Sequence, residues 1–149
     1  MYAMLCTRPD VSFALSTMSR YQSDPGESHW TAVKNILKYL RRTKDAFLLY
    51  GSKEDELVVN GYIDASFQTD KDDFISQSGY VFYLNGGAIS WRSSKQDTIA
   101  DSTIEAEYIA ASEAAKEVVW IKKFITGLGV VPSISDLVNL YCDNNGAIA

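Results

Sequence analysis

The stretch Ser102-Thr103-Ile104-Glu105-Ala106-Glu107-Tyr108-Ile109-Ala110-Ala111 decides the fold. Ser102 with Glu105 three residues later is a capping-box pattern, in which the Ser side chain caps the first turn and Glu105 reaches back to it. Apolar residues then recur at helical spacing to Leu128. Gly129 stops the helix, and Pro132 confirms the break. Strand-like segments lie on both sides. A helix of this length between strands forces a crossover, so the sheet must be mixed.

Working backwards, Ala88 to Arg92, extended through Ser93-Ser94-Lys95 to Thr98-Ile99, reads as a strand. Asn85-Gly86-Gly87 is a tight-turn signal. Gly79 to Leu84, rich in aromatic and β-branched residues, is the strand before it. Gln68 to Ser78 reads as a polar, acidic loop. Leu57 to Ile63 is a first strand with Asp64 at its end. These three strands form an antiparallel meander. Working forwards, Leu137 to Cys142 is a fourth strand ending at Asp143, and Asn144 begins a helical turn cut off at Ala149. The expected class is α/β (α+β), in the order β-β-β-α-β.

Residues 1–50 read as a separate helical segment ahead of a domain at 51–149. Arg8-Pro9-Asp10 opens one amphipathic stretch with Val11, Leu15 and Met18 on its apolar face. Ser23-Asp24-Pro25-Gly26 breaks it. A second helix follows, with Val33, Ile36, Leu37 and Leu40 at helical spacing. Its other face carries Lys34, Lys38, Arg41 and Arg42, which suit either a solvated surface or contacts to backbone phosphates. Phe47 to Tyr50 is a short strand candidate.

The chain of 149 residues is 46% hydrophobic, as globular proteins are, and carries a net charge of −5. That charge disfavours a protein whose main task is non-specific nucleic-acid binding, but allows a local basic patch. No apolar run is long enough for a membrane span, and there is no signal-peptide pattern at the start. An intracellular location, cytoplasmic or nuclear, is the expectation. Cys6, Cys142 and the single His29 are too few and too scattered for a zinc site, and both cysteines read as buried free thiols.

Three carboxylates carry the chemistry. Taking ~100° per residue, Glu107 shares a helix face with Ala111, Ala114, Val118, Ile121 and Ile125, whereas Glu105 lies roughly 160° away. Glu105 is the runner-up, because capping already explains it. A carboxylate on a sheet-packed face is costly unless something pairs with it. Asp64 also fits a loop start, Asp143 also fits a helix cap, and Glu107 also fits a wet sheet rim. Together the three could hold hard cations such as Mg²⁺, which takes a few carboxylates, water and substrate phosphate. Asp70, Asp72 and Asp73, in a loop with Lys71, read as solvated charge. Asp136 reads as a surface residue, and Asp101 flanks the helix N-terminus.

Asp-Ala-Ser (64–66), Ser-Gly-Tyr-Val-Phe (78–82), Ile-Ser-Trp-Arg-Ser-Ser-Lys-Gln (89–96), Glu-Ala-Glu-Tyr-Ile-Ala (105–110) and Cys-Asp-Asn (142–144) resemble the ribonuclease H domain of Copia-type LTR retrotransposons. Thr-Arg-Pro-Asp-Val-Ser-Phe-Ala (7–14) and His-Trp-Thr-Ala-Val-Lys-Asn-Ile-Leu-Lys-Tyr-Leu (29–40) resemble the segment joining that domain to the reverse transcriptase of the parent polyprotein. The resemblance implies a ribonuclease H-like fold and cleavage of RNA in RNA–DNA hybrids by two Mg²⁺ ions, with Mn²⁺ as a substitute. It assigns Asp64, Glu107 and Asp143 as catalytic metal ligands. Ser66 and Asn144 would flank the site, and Lys38 and Arg41 would meet the hybrid's backbone.

The resemblance implies that a helix, a fifth strand and a last helix follow the third acid, and that a fourth acidic or His ligand lies among them, past residue 149. The chain also starts inside a family motif, at Met1-Tyr2-Ala3-Met4-Leu5. A truncated copy with impaired activity is therefore expected, with strand four as an open edge through which the chain could self-associate. The alternative is a non-catalytic relic, serving as a protein-interaction module or without a role.

Overall fold

The computed structural model describes residues 2–51, 58–70, 72–129 and 138–148. Helix α1 (Tyr2–Cys6), a 3-10 turn (Pro9–Val11), α2 (Ser12–Ser19) and α3 (Glu27–Arg42) come first. Strands β1 (Val59–Ser66), β2 (Gln77–Leu84) and β3 (Gly87–Lys95) follow, then α4 (Thr103–Leu128), β4 (Asn139–Tyr141) and α5 (Asn145–Ile148). The sheet order is β3-β2-β1-β4. β1 pairs antiparallel with β2 and parallel with β4, so the sheet is mixed and α4 is its crossover.

Turn chemistry sets the meander. Asn85 and Gly86 both have positive φ, 51° and 83°, as a two-residue hairpin turn that follows the strand twist requires. Leu84 then faces Gly87 across it. α4 starts where Ser102 accepts the backbone N–H of Glu105 at 3.1 Å, and it ends at Gly129 with φ 65°. Glu105 does not reach back to Ser102; its carboxylate accepts the N–H of Asp101 at 2.7 Å.

The core lies between α4 and one sheet face. Val59, Ile63 and Phe82 meet Ala110, Ala114, Ile121 and Ile125 there. Small residues on the first turns of α4 let the helix approach the sheet closely. The other face receives the N-terminal helices along β2 and β3. Trp91 Nε1 donates to the Met4 carbonyl at 2.6 Å, and Gln77 Nε2 donates to Ser16 Oγ at 3.3 Å. Arg20 pairs with Asp70 at 3.0 Å. The segment before residue 50 therefore rests on the sheet.

Several expectations need correction. Two further short elements, α1 and the 3-10 turn, accompany the two expected N-terminal helices. Phe47–Tyr50 is not a strand; Tyr50 instead donates its hydroxyl to the Ala88 carbonyl at 2.8 Å. β1 runs on to Ser66, which puts Asp64 inside the strand opposite Gly79 rather than at its end. β2 starts two residues early, at Gln77. β3 stops at Lys95, because Gln96 turns inward and donates to Ser78 Oγ and the Ala106 carbonyl; Thr98 and Ile99 are not in a strand. β4 is shorter than expected, and Cys142 lies beyond it.

Asp70 is buried and ion-paired, not solvated, because Arg20 and Lys95 converge on it. Cys6 is exposed and Cys142 only half-buried. Leu37 is 60% exposed, since α3 lies outside α2 and only Val33, Ile36 and Leu40 turn inward. Leu57, Lys71, Pro132, Asp136, Leu137 and Ala149 lie outside the described residues. β4 is an edge strand among the described residues.

Candidate metal centre

Glu107 sits one turn into α4, on the side that meets β1, and is 5% exposed. Its Oε1 accepts the Ala65 backbone N–H at 3.2 Å, and its Oε2 lies 3.6 Å from the Cys142 thiol, which donates to it. Asp143 follows β4 directly. Ligand atoms of Glu107, Cys142 and Asp143 all lie within 4.8 Å of one another. The parallel β1–β4 pairing, Tyr62 opposite Tyr141, carries Asp143 to the level of Asp64.

Asp64 is exposed and stands outside that tight set. Along β1, Val59, Gly61 and Ile63 point to the core, so Tyr62 and Asp64 take the other face. There Asp64 borders a cavity of about 500 Å³ with Ser12, Phe13, Tyr62, Ser66 and Gln77. Its charge still reaches Glu107. Burial pushes the Glu107 carboxyl above its ordinary value, and the charges of Asp64 and Asp143 push the same way, against the Ala65 and Cys142 hydrogen bonds. Burial also raises the Cys142 thiol, with Glu107 adding to the effect, so it stays protonated at neutral pH.

Among the described residues no Lys, Arg or His forms an ion pair with Asp64, Glu107 or Asp143; the four salt bridges all lie elsewhere. A near-buried carboxylate beside Asp143, with no cationic side chain paired to either among the described residues, suits a hard divalent ion. Glu105 is exposed at the cap, away from the cluster. Ser66 and Asn144 are half-buried beside the two aspartates, whereas Lys38 and Arg41 are exposed on α3. Sequence reasoning missed Cys142 as a neighbour of Glu107. Its only signal was adjacency to Asp143, which says nothing about the helix across from it.

No family model matches the chain, and no solved structure matches it. The chain is 47% identical over 148 residues, 99% of its length, to the retrovirus-related Pol polyprotein from transposon TNT 1-94 of Nicotiana tabacum, of which it covers 11%. It is 39% identical over 141 residues, 95% of its length, to the corresponding polyprotein from transposon RE2 of Arabidopsis thaliana, of which it covers 10%. A third relative, the secreted RxLR effector protein 161 of Plasmopara viticola, is 46% identical over 121 residues, 81% of this chain and 84% of that protein.

Over nearly its whole length the chain is similar to retrovirus-related Pol polyproteins from plant transposons. It is retrotransposon-derived, and it spans about a tenth of the length of the Pol polyproteins it matches. Among the described residues of this Pol-related chain, no helix is long and apolar enough to cross a membrane.

Proposed function

We propose that this Pol-related chain has a ribonuclease H-like fold and carries the metal centre of a nuclease that cleaves RNA in RNA–DNA hybrids. The observation that carries this reading is Glu107, a near-buried carboxylate beside Asp143 and under the charge of Asp64, with no side-chain cation among the described residues to offset it. The mixed sheet order β3-β2-β1-β4 and the names of the polyprotein relatives support it.

Asp64, Glu107 and Asp143 would hold Mg²⁺ or Mn²⁺. Bound divalent ions supply an activated water and stabilise the leaving oxygen in phosphodiester hydrolysis. Glu107 is held by the Ala65 N–H and the Cys142 thiol. Asp64 opens toward solvent, where a strand backbone can approach. Ser66 and Asn144 would touch substrate or water.

A second reading, a chain that keeps the fold without catalysis, is favoured by two observations. The Cys142 thiol occupies one Glu107 oxygen, and Asp64 stands outside the 4.8 Å set. Incubation with a labelled RNA–DNA hybrid and Mg²⁺ or Mn²⁺ separates the two. Metal-dependent cleavage that disappears in Asp64→Asn supports the nuclease. Equal background in both proteins supports the non-catalytic reading.

A further inference from the structure

We propose that the groove between α2 and the sheet face opposite α4 is a binding site for a small organic cation, an ammonium or amidinium carried on an apolar body. The strand registers set Tyr141, Tyr62, Val81 and Trp91 side by side in one row across that face. Tyr62 stacks on Tyr141 at 5.2 Å and meets Tyr83 edge-on at 5.8 Å. Phe13 of α2 walls the same cavity of about 500 Å³, and Phe13 and Tyr62 remain 53% and 48% exposed. In the next row Gly79 lies between Asp64 and Ser93. A Cβ added at Gly79 would meet nothing closer than 3.8 Å, so the floor beside Asp64 is open. A second hollow of about 440 Å³ shares Tyr62, Val81 and Tyr83 with the first.

Charge selects the ligand. Two carboxylates line the cavity. Asp10 pairs with Arg8 at 2.7 Å and accepts the Tyr39 hydroxyl at 2.7 Å. Asp64 has no ion-pair partner among the described residues. The nearby cations are committed or turned away. Arg20 pairs with Asp70 at 3.0 Å and donates to Gln77. Arg92 stands opposite Tyr80, which packs against the core, so the Arg92 side chain leaves by the α4 face. An ammonium beside Asp64 gains the carboxylate and the electron-rich faces of the neighbouring rings together. An anion would be repelled there, and a neutral apolar ligand would gain nothing from Asp64. The volume is that of a small-molecule site rather than of a single ion.

The site uses Asp64 but no metal, so its failure would leave the cleavage reading untouched. The test is a titration of the protein in EDTA with benzyltrimethylammonium chloride, followed by nuclear magnetic resonance. Saturable binding with a Kd of about a few millimolar is expected for a probe of this size. Intermolecular Overhauser contacts should run from the probe to the Phe13 and Tyr62 rings. Tyr62→Leu, Tyr83→Leu and Asp64→Asn should each weaken binding at least about fivefold, and benzyl alcohol and benzoate should bind the parent more weakly by at least about the same factor. Tyr108→Leu removes an exposed tyrosine from α4 and should change nothing. No saturable binding, equal affinity for benzyl alcohol, full affinity in both groove tyrosine variants, an equal loss in Tyr108→Leu, or Overhauser contacts only to other surfaces would each overturn the proposal. Circular dichroism of each variant checks that the fold is retained.

Discussion

The carboxylate of Glu107 accepts the backbone N–H of Ala65 across 3.2 Å, which ties the first turns of α4 to the far half of β1. This bond aims a charge at the place where burial and two neighbouring aspartates oppose it. Burial first, and the charges of Asp64 and Asp143 with it, disfavour the ionised form of Glu107 in the folded state.

The neutral variant Glu107→Gln should therefore be at least as stable as the parent at pH 7 without divalent ions. Its amide oxygen still accepts the Ala65 N–H, and the repulsion is gone. Because the native carboxyl lies above the ordinary 4.5, the parent's stability should fall as pH rises from that value through the folded-state one. The variant should lose that slope, and any cleavage activity with it. Thermal melts across pH measure the first, and hybrid cleavage the second. A strongly destabilised variant would contradict this account.

Asp70 works in the opposite sense. Lys95 first, then the Asp72 N–H, and Arg20 as well, hold its carboxyl below the ordinary 3.8. Its stabilisation is present above that value and is lost as pH falls through the folded-state one. Asp70→Asn leaves Arg20 and Lys95 without their shared acceptor and should cost about 1–3 kcal/mol at neutral pH. Denaturant titrations should also show a flatter acid limb. Arg20 lies on the N-terminal segment, so limited proteolysis between α2 and α3 should quicken.

Gly61 is the one position in β1 where a side chain has no room. An added Cβ would collide with the Phe82 ring and come within 2.6 Å of Leu140 Cδ2. Gly61→Ala should cost about 1–3 kcal/mol by overpacking. Leu140 belongs to β4, so amide exchange there should rise more than in β3.

The strength of the local signals explains how much was legible beforehand. α4 was readable end to end, because Ser102 and Gly129 are unambiguous caps and its apolar stripe is long. The Asn85-Gly86 hairpin was readable because only such residues tolerate its backbone. Placing Glu107 inside and Glu105 outside followed from helix periodicity alone. Asp70 was misjudged because its partners, Arg20 and Lys95, are 50 and 25 residues away and no local pattern encodes them. Phe47–Tyr50 has strand composition, but Tyr50 donates its hydroxyl to the Ala88 carbonyl, a contact made by tertiary packing. The thiol of Cys142 beside Glu107 was hidden for the same reason.

The central claim is that Asp64, Glu107 and Asp143 share one cation pocket although Asp64 sits on the other face of β1. Electron paramagnetic resonance of Mn²⁺ titrated into the protein tests it without needing activity. The parent should bind the ion, and Asp64→Asn should bind it at least about tenfold more weakly. Superimposable titrations for the two proteins would place Asp64 outside the pocket and contradict the account.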